Sequence, residues 1–143
     1  MKKILILNGP NLNMLGIREP EIYGHETLQD IEKLCRKTAR AHKIKIEFRQ
    51  SNHEGELVEW IQQARGKFAG LVINAGAYTH TSLAIHDALR LFDAPIIEVH
   101  LSDPKKREPF RHHSYIEPLA KAGFAGEGAK GYTRALDALA LML

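Results

Sequence analysis

The chain repeatedly passes from an apolar run too short for a helix into a stretch of 3.6-residue period, and few folds accommodate that order. Residues 3–7 (KILIL) form such a run, stopping at Asn8-Gly-Pro, and read as a buried strand followed by a loop. Thr27 opens a helix whose apolar positions Leu28, Ile31, Leu34, Cys35 and Ala39 share one stripe. Residues 44–48 (IKIEF) alternate as a half-covered strand does. Ser51 to Glu54 has capping-box spacing ahead of Leu57, Val58, Ile61 and Ala64, which predicts a second helix. Residues 70–73 are a third strand, broken by Asn74-Ala-Gly76 and followed by a helix from about Thr81 to Phe92. Residues 95–99 are a fourth strand, 122–125 a weaker fifth, and 133–142 a closing helix.

Strands written as apolar runs belong to a parallel sheet covered on both faces. With right-handed crossovers, five such strands predict an α/β three-layer sandwich of flavodoxin-like order 2-1-3-4-5. No repeat or linker divides the sequence, so residues 1–143 read as one domain, large enough to need no disulfide or metal staple. The lone cysteine, Cys35, excludes a disulfide framework or CxxC site, and its place on the helical stripe reads as core. No apolar run reaches the ~18 residues of a membrane span. Ile4 to Leu7 is too short for the about 7–15 residues of a signal h-region. The expectation is a soluble protein of a reducing compartment. A net charge of +3 suits an anionic small ligand without demanding one, and the basic cluster Lys105, Lys106, Arg107 and Arg111 lacks the RNP-type aromatics of a nucleic-acid surface.

In a sheet of this order, ligands bind beyond the strand carboxyl ends where the order reverses, which directs attention to three loops. The first, residues 8–26, is longer than a usual βα connection and carries Asn8, Asn11, Asn13, Arg18 and Tyr23 between glycines 9, 16 and 24. Its asparagines and glycines are equally consistent with plain surface turns. The second, residues 74–80, offers Asn74 and His80, the latter readable also as a capping or surface histidine. The third begins in strand four, where Glu98, His100 and Ser102 fall at i, i+2 and i+4 on one face. A carboxylate so placed can hold one imidazole nitrogen and favour the protonated ring, making His100 a credible general acid. Arg107 and Arg111 follow as candidate anion clamps, or as solvated surface charge.

Other patterns fail on context. Gly126-Glu-Gly-Ala-Lys-Gly131 matches GxGxxG literally, but no strand and acidic residue can follow it as a dinucleotide fingerprint requires. The eight histidines have no HExxH spacing, adjacent His112 and His113 cannot easily share a metal, and there is no GxSxG elbow.

Taken together, NGPNLNMLGxREPxxYG, INAGAYTHTS and EVHLS with REPFRHHS resemble the type II 3-dehydroquinate dehydratases of the shikimate pathway. The resemblance covers nearly the whole chain and implies a hydro-lyase. Its reaction is anti elimination of water from 3-dehydroquinate through an enolate to 3-dehydroshikimate, in biosynthesis or in quinate breakdown, with no metal or organic cofactor. By similarity Tyr23 is the proton acceptor, His100 the proton donor oriented by Glu98, and Asn11 the residue that positions a water at the enolate oxygen. A phenol that acts as a base needs a nearby cation, and Arg18, five residues upstream, is the first candidate stabiliser of phenolate and transition state, with Arg107 or Arg111 as further contributors. The substrate carboxylate is expected at the N–H groups of Leu101 and Ser102, the Ser102 hydroxyl and the Asn74 amide. His80 and Arg111 are expected at the ring hydroxyls. The resemblance further implies a cytoplasmic homododecamer, a tetramer of trimers, in which Asp87 of a neighbouring subunit approaches the site, with no nucleic acid or membrane partner. Two positions depart from the pattern, Asp103 where asparagine is commoner and His86 where arginine is, the latter expected at the surface or a subunit contact. The competing reading is a non-catalytic flavodoxin-like module that binds an anionic ligand at the same strand ends.

Overall fold

The computed structural model describes every residue except Arg18 and Gly24, and all side chains but theirs and those of Pro20 and Tyr23. The roles expected of Arg18 and of the Tyr23 ring therefore lie outside the described residues. Five strands, β1 (Lys3–Asn8), β2 (Lys45–Gln50), β3 (Gly70–Asn74), β4 (Ile96–His100) and β5 (Ala122–Ala125), form one parallel sheet in the order β2-β1-β3-β4-β5. The predicted topology holds. Helices α1 (Pro20–Tyr23), α2 (Leu28–Ala41), α3 (Glu54–Ala64), α4 (Leu83–Leu91) and α5 (Lys130–Met142) complete the chain, with short 3-10 turns between them.

Alternate residues of each strand serve opposite layers. Ile4, Ile6, Val72, Ile97 and Val99 pack under α2 and α5, whereas Leu5, Leu7, Leu71 and Ile73 pack under α3 and α4. Both faces of β1 and β3 are thus buried, which is why those strands read as unbroken apolar runs. Thr27 caps α2 in a full capping box: its hydroxyl accepts from the Asp30 N–H while the Asp30 carboxylate accepts from the Thr27 N–H. Cys35 is completely buried on that helix, and burial pushes its thiol up to about 12, as befits a core residue rather than a nucleophile.

Element ends differ from the sequence reading in a consistent way. β1, β2, β3 and β4 each run one or two residues further, to end on Asn8, Gln50, Asn74 and His100. The expected capping box at Ser51 does not form. The Ser51 N–H still pairs with the Asn8 carbonyl as a continuation of the ladder, so α3 begins at Glu54 behind His53, and the Ser51 hydroxyl accepts from the His53 N–H instead. Helix α5 starts at Lys130, not Thr133, because Gly126 and Gly128 make the preceding turn with positive φ and leave Gly131 inside the helix. A Cβ on Gly131 would lie 3.3 Å from Val99 Cγ1, so the literal GxGxxG serves a turn and close helix–sheet packing.

The polar strand ends are joined by one buried chain of hydrogen bonds. Asn8 Nδ2 donates to the Arg49 carbonyl (3.0 Å), and the Tyr132 hydroxyl donates to Asn8 Oδ1 (2.7 Å). Asn74 Nδ2 donates to the Tyr132 oxygen (3.0 Å), and Asn74 Oδ1 accepts from the Gly76 N–H (3.2 Å). A backbone acceptor at one end and a backbone donor at the other leave every link a single possible direction. Tyr132 is fully buried, and burial raises its phenol far above the ordinary value despite the Asn74 hydrogen bond, so it stays neutral and able to donate. Tyr132→Phe strands two buried amides at once. It should lower stability by about 1–3 kcal/mol, read as a drop in urea midpoint at unchanged slope, and an unchanged midpoint would refute the assignment.

Candidate active site

The cavity beyond the strand ends encloses about 240 Å³ and is built by the loops the topology points to. Pro10, Asn11 and Leu12 come from the segment after β1, Asn74, Gly76 and Ala77 from the end of β3, and His100, Leu101 and Ser102 from the end of β4. His80, Arg107 and Arg111 complete the wall. A second space of about 370 Å³ lies behind His80 and His100, bounded by Glu98, Ser114, Phe124 and Glu117. The two histidines separate front from rear, with ring centroids 6.4 Å apart and planes within 18°.

His100 and Glu98, two residues apart on β4, do meet: Nε2 lies 2.7 Å from Glu98 Oε2. Both side chains are largely buried, at 12% and 9% exposed, so this is a desolvated pair rather than a surface one. Ser114 donates its hydroxyl to the same oxygen at 2.7 Å. Burial of Glu98 works against ionisation, but the hydrogen bond and charge of His100 and the Ser114 hydroxyl outweigh it and hold the carboxyl below its ordinary value. An ionised Glu98 is only an acceptor, so His100 must carry its proton on Nε2 toward it, and the opposite nitrogen remains for chemistry.

His80 is held differently. Its Nδ1 donates to the His113 carbonyl at 2.8 Å, which leaves Nε2 as an acceptor. Burial lowers its pKa, the His113 carbonyl opposes, and the positive charges of His100 and Arg111 lower it further. Its neutral form is therefore favoured, suited to accept a hydroxyl proton. Two neighbouring imidazoles thus take unlike tasks because their partners differ.

The cations are anchored. Arg111 Nε donates to Glu108 Oε1 (3.0 Å) and its guanidinium lies 5.2 Å from the Phe110 ring centroid, while Arg107 donates to the Ser102 hydroxyl (3.4 Å). Asn11 adopts a left-handed conformation (φ 69°), and its N–H is held by Asn52 Oδ1 at 3.0 Å. Gln50, at the end of β2, donates to the same Asn52 oxygen (3.0 Å) and to the Gly9 carbonyl (3.1 Å). Asp103 caps the turn over Pro104–Lys106 by accepting from the Lys105 N–H, so the departure from asparagine falls on a turn-forming position.

The structure therefore gathers Asn11, Asn74, His80, His100, Leu101, Ser102 and Arg111 around one cavity, with Glu98 behind His100. Asp87 is exposed on α4 and lines neither space. His86, expected at the surface or a subunit contact, is half-buried, and its Nδ1 lies 2.6 Å from the Tyr115 carbonyl, tying α4 to the segment that covers the rear space. Ser114, Tyr132, Gln50 and Asn52 escaped the sequence reading. Ser114 stands inside the REPFRHHS stretch, yet no spacing rule marks it, and Tyr132 directly follows Gly131 with no signal of its own.

The family described as dehydroquinase class II matches residues 2–140. This chain belongs to that family. It is 59% identical to 3-dehydroquinate dehydratase 2 of Pseudomonas putida across 98% of this chain and 94% of that one. Its fold superposes on the type II dehydroquinase of Propionibacterium acnes with a TM-score of 0.95 at 44% identity, covering 99% and 97% of the two chains. The type II dehydroquinase of Butyrivibrio crossotus gives 0.93 at 46% identity over 96% and 97%. At the end of β4, His100 lines the front cavity and Glu98 lies behind it, bounding the rear space.

An ionised Glu98 also has a pH signature. Its carboxyl titrates below its ordinary 4.5, so the stability it contributes is present above about pH 4.5 and is lost as pH falls through the folded-state value. Glu98→Gln has no such group to protonate. Its urea midpoint should fall less steeply than wild type as pH drops below about 4.5, and parallel curves would sink the assignment.

Proposed function

We propose that this chain is a 3-dehydroquinate dehydratase, a hydro-lyase that forms 3-dehydroshikimate by anti elimination of water. The observation that carries the reading is a desolvated His100 held by an ionised carboxylate at the wall of a polar cavity, in a chain of this family. Elimination from a β-hydroxy ketone needs a base for the α-proton, stabilisation of the enolate oxygen and an acid for the departing hydroxyl. Tyr23 as phenolate takes the α-proton, and Arg18 holds the phenolate by its fixed charge. Asn11, locked in its left-handed conformation, orients a water toward the enolate oxygen. His100 then passes the proton opposite Glu98 to the leaving hydroxyl, which departs as water, and relaxes to the neutral tautomer that still donates to Glu98. No step calls for a metal or an imine.

The substrate carboxylate meets the Leu101 and Ser102 N–H groups, the Ser102 hydroxyl and the second N–H of the Asn74 amide, whose first is committed to Tyr132. Neutral His80 and Arg111 take the ring hydroxyls. Asp87, which does not line its own cavity, serves that of a neighbouring subunit in a homododecamer of four trimers. Among the described residues no helix is long and apolar enough to cross a membrane, and the setting proposed for the enzyme is the cytoplasm. A binding module without chemistry would leave the buried Glu98–His100 pair with nothing to do.

The rise of the conjugated enone absorbance on mixing with 3-dehydroquinate tests the activity, and it should survive chelator and borohydride. Tyr23→Phe and Arg18→Ala should each lose kcat by about 100-fold or more, with Arg18→Lys intermediate. A wild-type kcat in either of the first two removes that residue from its role. His100→Ala should lose turnover yet still exchange the substrate α-proton with solvent, and undiminished turnover would remove His100 as the acid.

A further inference from the structure

We infer that Ser114 is a positioning residue for the general acid, acting through Glu98. The proposal rests on the dehydratase reading for its kinetic consequence and on geometry for the rest. Ser114 Oγ lies 3.1 Å from the Ile116 N–H and 3.0 Å from the Glu117 N–H, both of which can only donate to it. A hydroxyl has two lone pairs and one proton. With both lone pairs taken by backbone donors, its proton has one direction left, and Glu98 Oε2 stands there at 2.7 Å. The hydroxyl cannot rotate to accept from Glu98 without breaking the turn that opens the 3-10 helix Glu117–Leu119.

Such a donor selects the state of its partner. It keeps Glu98 an acceptor, and an accepting Glu98 requires the Nε2 proton of His100, 2.7 Å away on the same oxygen. The proton address of the acid is therefore set by the peptide groups of Ile116 and Glu117, relayed through a serine that lines the rear space and not the front cavity. The segment carrying Ser114 is itself pinned, since the Tyr115 N–H donates to the Thr79 carbonyl and the Tyr115 carbonyl meets His86. Rotation of the Glu98 carboxylate or a change of tautomer in His100 would have to disturb all of this.

Ser114→Ala, Ser114→Thr, Glu98→Gln and the Ala/Gln double variant form the test, read by steady-state kinetics and by the imidazole 15N resonances of His100 in the free protein. Removing a hydrogen bond to a charged group should lower kcat by about 10–100-fold in Ser114→Ala with KM changed by less than about threefold. Threonine, which keeps the hydroxyl, should restore kcat to within about threefold. In the Glu98→Gln background the alanine substitution should cost less than about twofold further, because the route it acts through is gone. The His100 resonances should shift in Ser114→Ala and return in Ser114→Thr. Full additivity with Glu98→Gln, or unmoved His100 resonances, would overturn the proposal and leave Ser114 a turn cap. If the alanine chain does not fold, Ser114→Cys, a weaker donor of similar size, is held to the same cycle and the same two criteria. The resonances need no substrate, so a protein inactive toward 3-dehydroquinate would defeat the functional reading while this measurement still decided the role of Ser114.

Discussion

From the Arg49 carbonyl through Asn8, Tyr132 and Asn74 to the Gly76 amide, a buried relay of hydrogen bonds ties the ends of β1, β2 and β3 to helix α5. Two buried side-chain amides at adjacent strand ends would be costly without partners. Here they satisfy one another through a single phenol. The same packing brings the backbones together beyond the sheet: the Gly9 N–H donates to the Asn74 carbonyl at 2.8 Å, and a Cβ at Gly9 would lie 2.3 Å from the Ala75 carbonyl oxygen. Asn11 and Gly76 can then line one cavity because the loops that carry them leave the sheet from one fixed level.

Electrostatics builds the rest of the site on that frame. A charge as desolvated as Glu98 persists only with close donors, and two of them converge on one of its oxygens. His80, 6.4 Å from His100 ring to ring, is given a carbonyl where His100 is given a carboxylate, and this one difference sets the two rings in unlike electrostatic surroundings. The cations Arg107 and Arg111 are tied to Ser102 and Glu108, so the positive wall of the cavity is ordered before any anion arrives.

The strands, their order and the loops to search could be read from periodicity, because burial on two faces demands apolar runs and turn residues interrupt them. The reading stopped short at Asn8, Gln50, Asn74 and His100 for the same reason. A hydrophobicity criterion ends a strand at its last apolar residue, whereas the ladder continues through the polar residue that begins the site. The i, i+2 relation of Glu98 and His100 was visible because a pleated strand forces the two onto one face. Ser114 could not be found that way, since it reaches Glu98 across sixteen positions of irregular chain.

What the amino-acid order decided by itself was local or periodic: the αβ alternation, the cap at Thr27, the pairing on β4, and the motifs that mark a class II dehydroquinase. Tertiary structure alone decided which polar groups share protons. It placed Tyr132 between two asparagines from different strands, aimed Ser114 at Glu98, and directed the His80 tautomer by a carbonyl thirty-three residues away. Hydrogen bonds have a range of about 3 Å and a direction, so their partners follow from where the chain returns in space and not from spacing along it.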